Sequence, residues 1–272
     1  MTFSMQDTPK ITIEKKSFND LDLPEIIYKY RTWSDEYHKR FITEREVFMA
    51  SARTFEDQLD CKNPTRFDLL TKDQIYQYYL WSSKEENPNF SRQQHRQFAR
   101  NWTKNSPLND RNRIKEWMIQ TIEDYYDNDG ILSLTENWNN DEMWNKYADN
   151  GKGICIGYNT KEMFRYLGGG GKVEYVDELP IILPEPFMDF AEALRNRVYC
   201  KTKDWEFEDE YRTKKFWPHI ATISDRQIKL PKEAFNKIIL GDNISDTDKN
   251  DIIENVRIHI GDIEVIEREN VI

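Results

Sequence analysis

A chain of 272 residues can bury a sizeable core, and its 13% aromatic content sets it apart from disordered chains, which have little to bury. A net charge of −10 excludes a broad nucleic-acid-binding surface, because non-specific affinity for phosphates comes from Lys and Arg displacing counterions. No run approaches the ~20 apolar residues that cross a bilayer, the first ten residues (MTFSMQDTPK) lack the apolar centre of a signal peptide, and Cys61, Cys155 and Cys200 show no CxxC spacing. A cytoplasmic chain without membrane contact, disulfide framework or zinc knuckle is therefore expected.

In chain order, the run 25–31 (EIIYKYR) predicts a strand entering a turn, and Ser34 is placed to cap a short helix through His38 and Phe41. A second strand is predicted at 46–51 and a loop at 52–60. From 71 to about 127 the pattern turns helical. Thr71 with Gln74, and Ser91 with Gln94, have capping-box spacing, and Ile114, Trp117, Met118, Ile122, Tyr125 and Tyr126 form one apolar stripe at helical period. The stretch carrying Arg92, His95, Arg96, Arg100 and Lys104 reads as a solvated helix face or a local basic patch.

The second half is richer in strands. The run 131–135 (ILSLT) is short and apolar, 140–149 predicts a helix with Met143, Trp144, Tyr147 and Ala148 inward, and Ile154, Ile156 and Tyr158 alternate as in a strand. Gly168 to Gly171 read as a helix stop and hairpin turn before a strand at 172–176; no helix start follows, as a P-loop would require. A helix at 186–199, a strand at 237–241, a helix at 247–259 and a strand at 263–266 complete the chain. The predicted fold is a single α+β domain over 1–272. Its mixed, split sheet sets the 131–135 strand beside the 25–31 strand, with a helical insertion at about 71–127 on its outside.

Three polar spots sit where strands should close over a core. Arg31, at the end of the first strand, suits bidentate grip of a phosphate or carboxylate, or an internal ion pair. Ser133 and Thr135 share one face of their strand, Leu134 the other, and their hydroxyls can line a polar cleft or bond to neighbours. In the run 204–210, an extended backbone would put Glu206, Glu208 and Glu210 on one side and Trp205 and Phe207 near the other. Three carboxylates on one edge call for a cation or a developing positive charge nearby. The four histidines, His38, His95, His219 and His259, never adopt HExxH spacing, so metal catalysis through His or Cys is not expected.

Together, the runs 28–31 (YKYR), 47–51 (VFMAS), 55–60 (FEDQLD) and 133–135 (SLT) resemble a bacterial family, domain-of-unknown-function family 2971. The run 143–158 (MWNKYADNGKGICIGY) is similar to the family's "LMWxxYAxxHxGxxIGF", and 201–212, ending in Glu210-Tyr211-Arg212, to its next block. Where the family commonly has Asn-Asp-Pro, this chain has Glu56-Asp57-Gln58. More distantly, an Arg on a first strand, Ser-x-Thr on a middle strand and Glu-x-Glu late in the chain resemble the Arg–Ser–Glu pattern of ADP-ribosyltransferases. That resemblance implies an ADP-ribosyltransferase-like sheet and an enzyme taking NAD as substrate, without metal, and passing ADP-ribose to an unknown acceptor. It implies chemistry at Glu210, Glu208 and Ser133, and dinucleotide binding by Arg31, Thr135 and Tyr147 or Trp144. Two other readings stay open: a Mg²⁺-dependent nuclease holding its ion on Asp204, Glu206, Glu208 and Glu210 with help from Lys214 or Lys215, and a non-catalytic protein-interaction module.

Overall fold

The computed structural model describes residues 23–271, so the expectation for the N-terminal decapeptide lies outside the described residues. The strands are β1 (Ile26–Arg31), β2 (Glu46–Phe48), β3 (Asp129–Thr135), β4 (Ile154–Asn159), β5 (Gly171–Lys172), β6 (Glu174–Val176), β7 (Cys200–Thr202), β8 (Glu210–Phe216), β9 (Gln227–Lys229), β10 (Phe235–Leu240) and β11 (Glu264–Glu267). The helices are α1 (Glu36–Thr43), α2 (Lys72–Glu86), α3 (Arg92–Lys104), α4 (Arg111–Asn128), α5 (Asp141–Tyr147), α6 (Thr160–Leu167), α7 (Phe190–Val198), α8 (Ile223–Arg226) and α9 (Asp246–His259). The architecture is α+β. A seven-stranded mixed sheet runs in the order β11-β10-β4-β1-β3-β8-β5, parallel between β10 and β11 and antiparallel elsewhere.

Apolar alternation along the central strands covers both faces of this sheet. On one face Ile27, Leu132, Leu134, Ile154, Ile156 and Ile238 pack with Phe41 and Ile42 of α1, Met163 and Phe164 of α6 and Ile252 and Val256 of α9. On the other, Tyr28, Tyr30, Cys155 and Ile239 pack with Met143 and Trp144 of α5. Helices α2 to α4 carry an apolar cluster of their own, built on Phe67, Ile75, Tyr79, Ala99, Leu108 and Ile114. Both capping boxes form at their N-termini. Tyr125, near the end of α4, packs with Ile131 and so ties the helical section to β3.

The expected neighbours β1 and β3 are adjacent, but they are joined at a single register pair, Tyr28 with Thr135. By contrast, β1 and β4 pair over six residues and β3 and β8 over seven. Beyond Tyr28 the two strands part, and the sheet opens along their seam.

Several local readings change. The first helix is capped by Asp35, not Ser34, because the Asp35 carboxylate accepts the Tyr37 and His38 amides. The strand expected at 46–51 ends at Phe48, and Ala50 instead bridges to Ile131. The run 172–176 belongs to two sheets, because Val173 donates its amide to Glu210 O between β5 and β6. Glu206, Glu208 and Glu210 do not share an extended edge. Lys203–Glu208 winds into a short 3₁₀ helix and Asp209 turns left-handed (φ 42°) before β8 begins, which leaves Glu206 exposed and turns Glu208 inward. Among the described residues no helix is long and apolar enough to cross a membrane.

Candidate active site

The opened seam is a cleft of about 360 Å³, lined from β1 by Lys29 and Arg31, from β3 by Ser133 and Thr135, and from the far side by Tyr147, Lys201, Trp205, Glu208 and Glu210. Register explains part of this gathering. Across the β3–β8 ladder Ser133 faces Arg212 and Thr135 faces Glu210, and residues directly opposite each other project to the same face. On β1, alternation puts Lys29 and Arg31 on the opposite face, with Ile27. Because the seam is open, side chains from both faces reach one space.

The far wall is a closed ionic network. Arg212, fully buried, donates Nε to Glu210 Oε1 (2.7 Å) and one terminal nitrogen to both Glu210 Oε2 (2.8 Å) and Asp60 Oδ2 (2.7 Å). Its other terminal nitrogen donates to Asp60 Oδ1 (2.8 Å) and to the Val198 carbonyl (2.8 Å). The Lys201 ammonium donates to Glu208 and lies 3.4 Å from Glu210 and 3.6 Å from Asp60. Tyr147 donates its hydroxyl to the second oxygen of Glu208. Burial alone would raise the Glu210 carboxyl, but Arg212 and Lys201 outweigh it and hold the group at about 2. Burial likewise works against the Lys201 ammonium, and Glu210 and Glu208 more than compensate, raising it above its ordinary value. Desolvation, then Glu208, pushes the Tyr147 phenol up, so it remains a hydrogen-bond donor.

The near wall is different. Arg31 is half-buried, with Nε sealed from solvent and without a hydrogen-bond partner among the described residues. Its guanidinium lies 4.3 Å from the centre of the Phe41 ring and, among the described residues, donates only to the Tyr30 carbonyl (3.0 Å). No carboxylate among the described residues pairs with it, and burial depresses it to about 10 against the opposing pull of Asp35. Asp57 also lines the cleft, and its Oδ2 is buried without a partner among the described residues. A second hollow of about 290 Å³, lined by His38, Phe41, Val47 and Ile223, shares Arg31 and Phe48 with the first. Arg31 thus stands between two concave spaces.

Of the residues singled out in the sequence, Arg31, Ser133, Thr135, Tyr147, Glu208 and Glu210 all line this one cleft. Trp144 does not. It is 1% exposed, edge-on to Tyr30 (5.0 Å) and bonded through its indole N–H to the Trp138 carbonyl (2.9 Å), so it is core rather than a ring-stacking platform. Trp205 lines the cleft instead, half-buried, with the Lys146 and Lys201 ammonium groups over its ring (4.2 and 4.6 Å from the centroid) and Phe207 stacked beside it. Lys29, Lys201, Asp60 and Arg212 were missed as site residues. Asp60 meets Arg212 from 152 positions away, and no local pattern announces such a pair. Asp204 and Glu206 are exposed, while the oxygens of Glu208 and Glu210 are taken by Lys201, Tyr147 and Arg212. The four carboxylates therefore do not form the Mg²⁺ site of the nuclease reading, and no group of three or more potential ligands among the described residues is arranged to hold a metal ion.

Residues 143–213 match the model of the family described as a protein of unknown function (DUF2971), the family that the motifs resemble. The matched segment carries Tyr147, Lys201, Trp205, Glu208, Glu210 and Arg212, which build the far wall; Lys29, Arg31, Ser133 and Thr135 lie outside it. No curated protein and no solved structure matches the chain.

Proposed function

We propose that the β1–β3 cleft binds NAD and cleaves its nicotinamide–ribose bond, with ADP-ribose passing to an acceptor as in ADP-ribosyltransferases. The observation that carries this reading is the meeting of Arg31, which pairs with no carboxylate among the described residues, with a preorganised carboxylate pair, Glu208 and Glu210, in one cleft. A guanidinium that no carboxylate among the described residues pairs suits a pyrophosphate. Its position between two hollows suits a ligand whose anionic middle joins two flat ends. Asp57 offers an acceptor for a ribose hydroxyl.

In the reaction the C1′–N bond breaks and its electron pair leaves with neutral nicotinamide. The acceptor's lone pair forms the new bond to C1′, and the acceptor releases a proton; water in its place gives free ADP-ribose. The state between has oxocarbenium character, and a fixed carboxylate in a low-dielectric cleft stabilises it. Glu208 fits this role better than Glu210. Glu210 is neutralised by a guanidinium on both oxygens and by an ammonium, whereas Glu208 has one ammonium and one phenol. Glu210, Ser133 and Thr135 then support the site from the β3–β8 ladder.

The test is nicotinamide release from NAD by purified protein, with and without candidate acceptors, in EDTA and in Mg²⁺. The expected outcome is metal-independent release that falls on the order of a hundred-fold in Glu208→Gln. Phosphodiester cleavage that needs Mg²⁺, with NAD untouched, would instead favour a nuclease.

A further inference from the structure

Two lysines face this cleft in opposite circumstances. Lys201 lies within 4 Å of three carboxylates. Lys29, half-buried on β1, has none within that distance among the described residues, and its Nζ donates to the backbone carbonyl of Ser133. Its nearest charged neighbour along the strand is Arg31, on the same face, and the charges felt from across the cleft are those of Glu210, Glu208 and Lys201. Burial first, then Arg31, moves its amine well below the ordinary lysine range, and the two glutamates only partly oppose this. A neutral amine keeps a lone pair, and a hydrogen bond to a carbonyl holds it in place without consuming that pair. Lysines set this way, desolvated and next to another cation, are activated nucleophiles toward carbonyl carbon.

We propose that Lys29 is such a nucleophile, forming an imine with an aldehyde or ketone that also bears a phosphate. Arg31 supplies the phosphate grip two residues along the same face. The amine lone pair attacks the carbonyl carbon, the two amine protons pass to the carbonyl oxygen, and the carbon–oxygen bond breaks as one water leaves and a C=N bond forms, so no oxidant or reductant is consumed. This step goes beyond NAD cleavage and does not depend on it, since it uses Lys29 rather than Glu208 and needs no nicotinamide.

The probe is pyridoxal 5′-phosphate, an aldehyde carrying a phosphate, added at one equivalent to the full chain and trapped with borohydride. Peptide mass mapping should place a single reduced adduct on Lys29. Lys29→Met should lose it, and Arg31→Met should lower its yield roughly ten-fold. Inorganic phosphate should compete in the wild-type chain. Label spread over exposed lysines, with Lys29 unmodified in the wild type, overturns the proposal even if Lys29→Met fails to fold. So does a folded Lys29→Met variant labelled as well as its parent. NAD turnover without Lys29 labelling would leave the dinucleotide reading standing and this one refuted; labelling without turnover would do the reverse.

Discussion

The two walls of the cleft use the same residue types to opposite ends. On the β7–β8 side, two cations and three carboxylates, all at most 5% exposed, satisfy one another. On the β1 side, two cations half-buried beside each other pair with no carboxylate among the described residues, and Glu208, Glu210 and Asp35 act on them only at longer range. A buried charge stripped of its partner is costly, while a closed network is rigid and passive. The first wall therefore holds a carboxylate pair in place. The second carries cations that no carboxylate among the described residues pairs, and in the proposed reading it is the binding side.

If that division is right, stability and binding should separate by wall. The largest effect on stability should come from Arg212→Met, which leaves Asp60, Glu208 and Glu210 sharing one ammonium; a loss of about 3–5 kcal/mol is expected, measured by denaturant unfolding. A parent-like midpoint would show that the network holds nothing together. Next comes the backbone at the base of β1. A Cβ on Gly153 would lie 2.2 Å from the Arg31 carbonyl oxygen, and Gly151 sits at φ +79°. Gly153→Val and Gly151→Val should each cost ~1–3 kcal/mol in thermal or chemical melts. Gly153→Val should also disturb ligand binding by shifting Arg31, whereas Gly151→Val should not.

Acid titration sharpens the contrast. Glu210, held at about 2 against an ordinary 4.5, is depressed in the folded chain, so its contribution is complete above the unfolded value and is lost as pH falls from there through about 2. Glu210→Gln should flatten the stability profile across that window, and an unchanged profile would remove Glu210 from the network. Lys29 gives a slope of the same sign in a higher pH window, where it reports a cost of burial instead of a gain from pairing. Its amine is depressed in the folded state, so the unfolded chain binds the extra proton and stability rises with pH toward the ordinary 10.5. The smallest effect follows: Lys29→Met should be neutral or slightly stabilising at pH 7, by less than about 1 kcal/mol, and clear destabilisation would reveal a partner for the amine.

What the sequence made readable follows from how local each signal is. The capping boxes at Thr71 and Ser91, the alternation through Ile154 and Tyr158, and the pairing of the 131–135 strand beside β1 rest on short-range chemistry and periodicity, and the fold carries all of them. The 204–210 run was misread because a 3₁₀ turn and a left-handed Asp209 have no strong residue signature when the turning residue is not Gly. Helical period already turned Trp144 inward, and its packing makes it a core ring, whereas nothing local placed Trp205 in the cleft. The ionic wall was the least readable part. Asp60 and Lys201 acquire meaning only through Arg212, and that meeting depends on how the loop before α2 folds back on β8.

The central claim is that Arg31, which pairs with no carboxylate among the described residues, holds the dinucleotide's phosphates, and calorimetric titration of NAD into wild-type and Arg31→Met protein tests it most directly. The account predicts measurable NAD affinity in the parent and a loss of about ten-fold or more in Arg31→Met, consistent with one lost charge-assisted contact of ~1.5–3 kcal/mol, with thermal stability unchanged within about 1 kcal/mol because no internal ion pair is broken. Equal NAD affinity in the two proteins, or a stability loss in Arg31→Met as large as that of Arg212→Met, would contradict it.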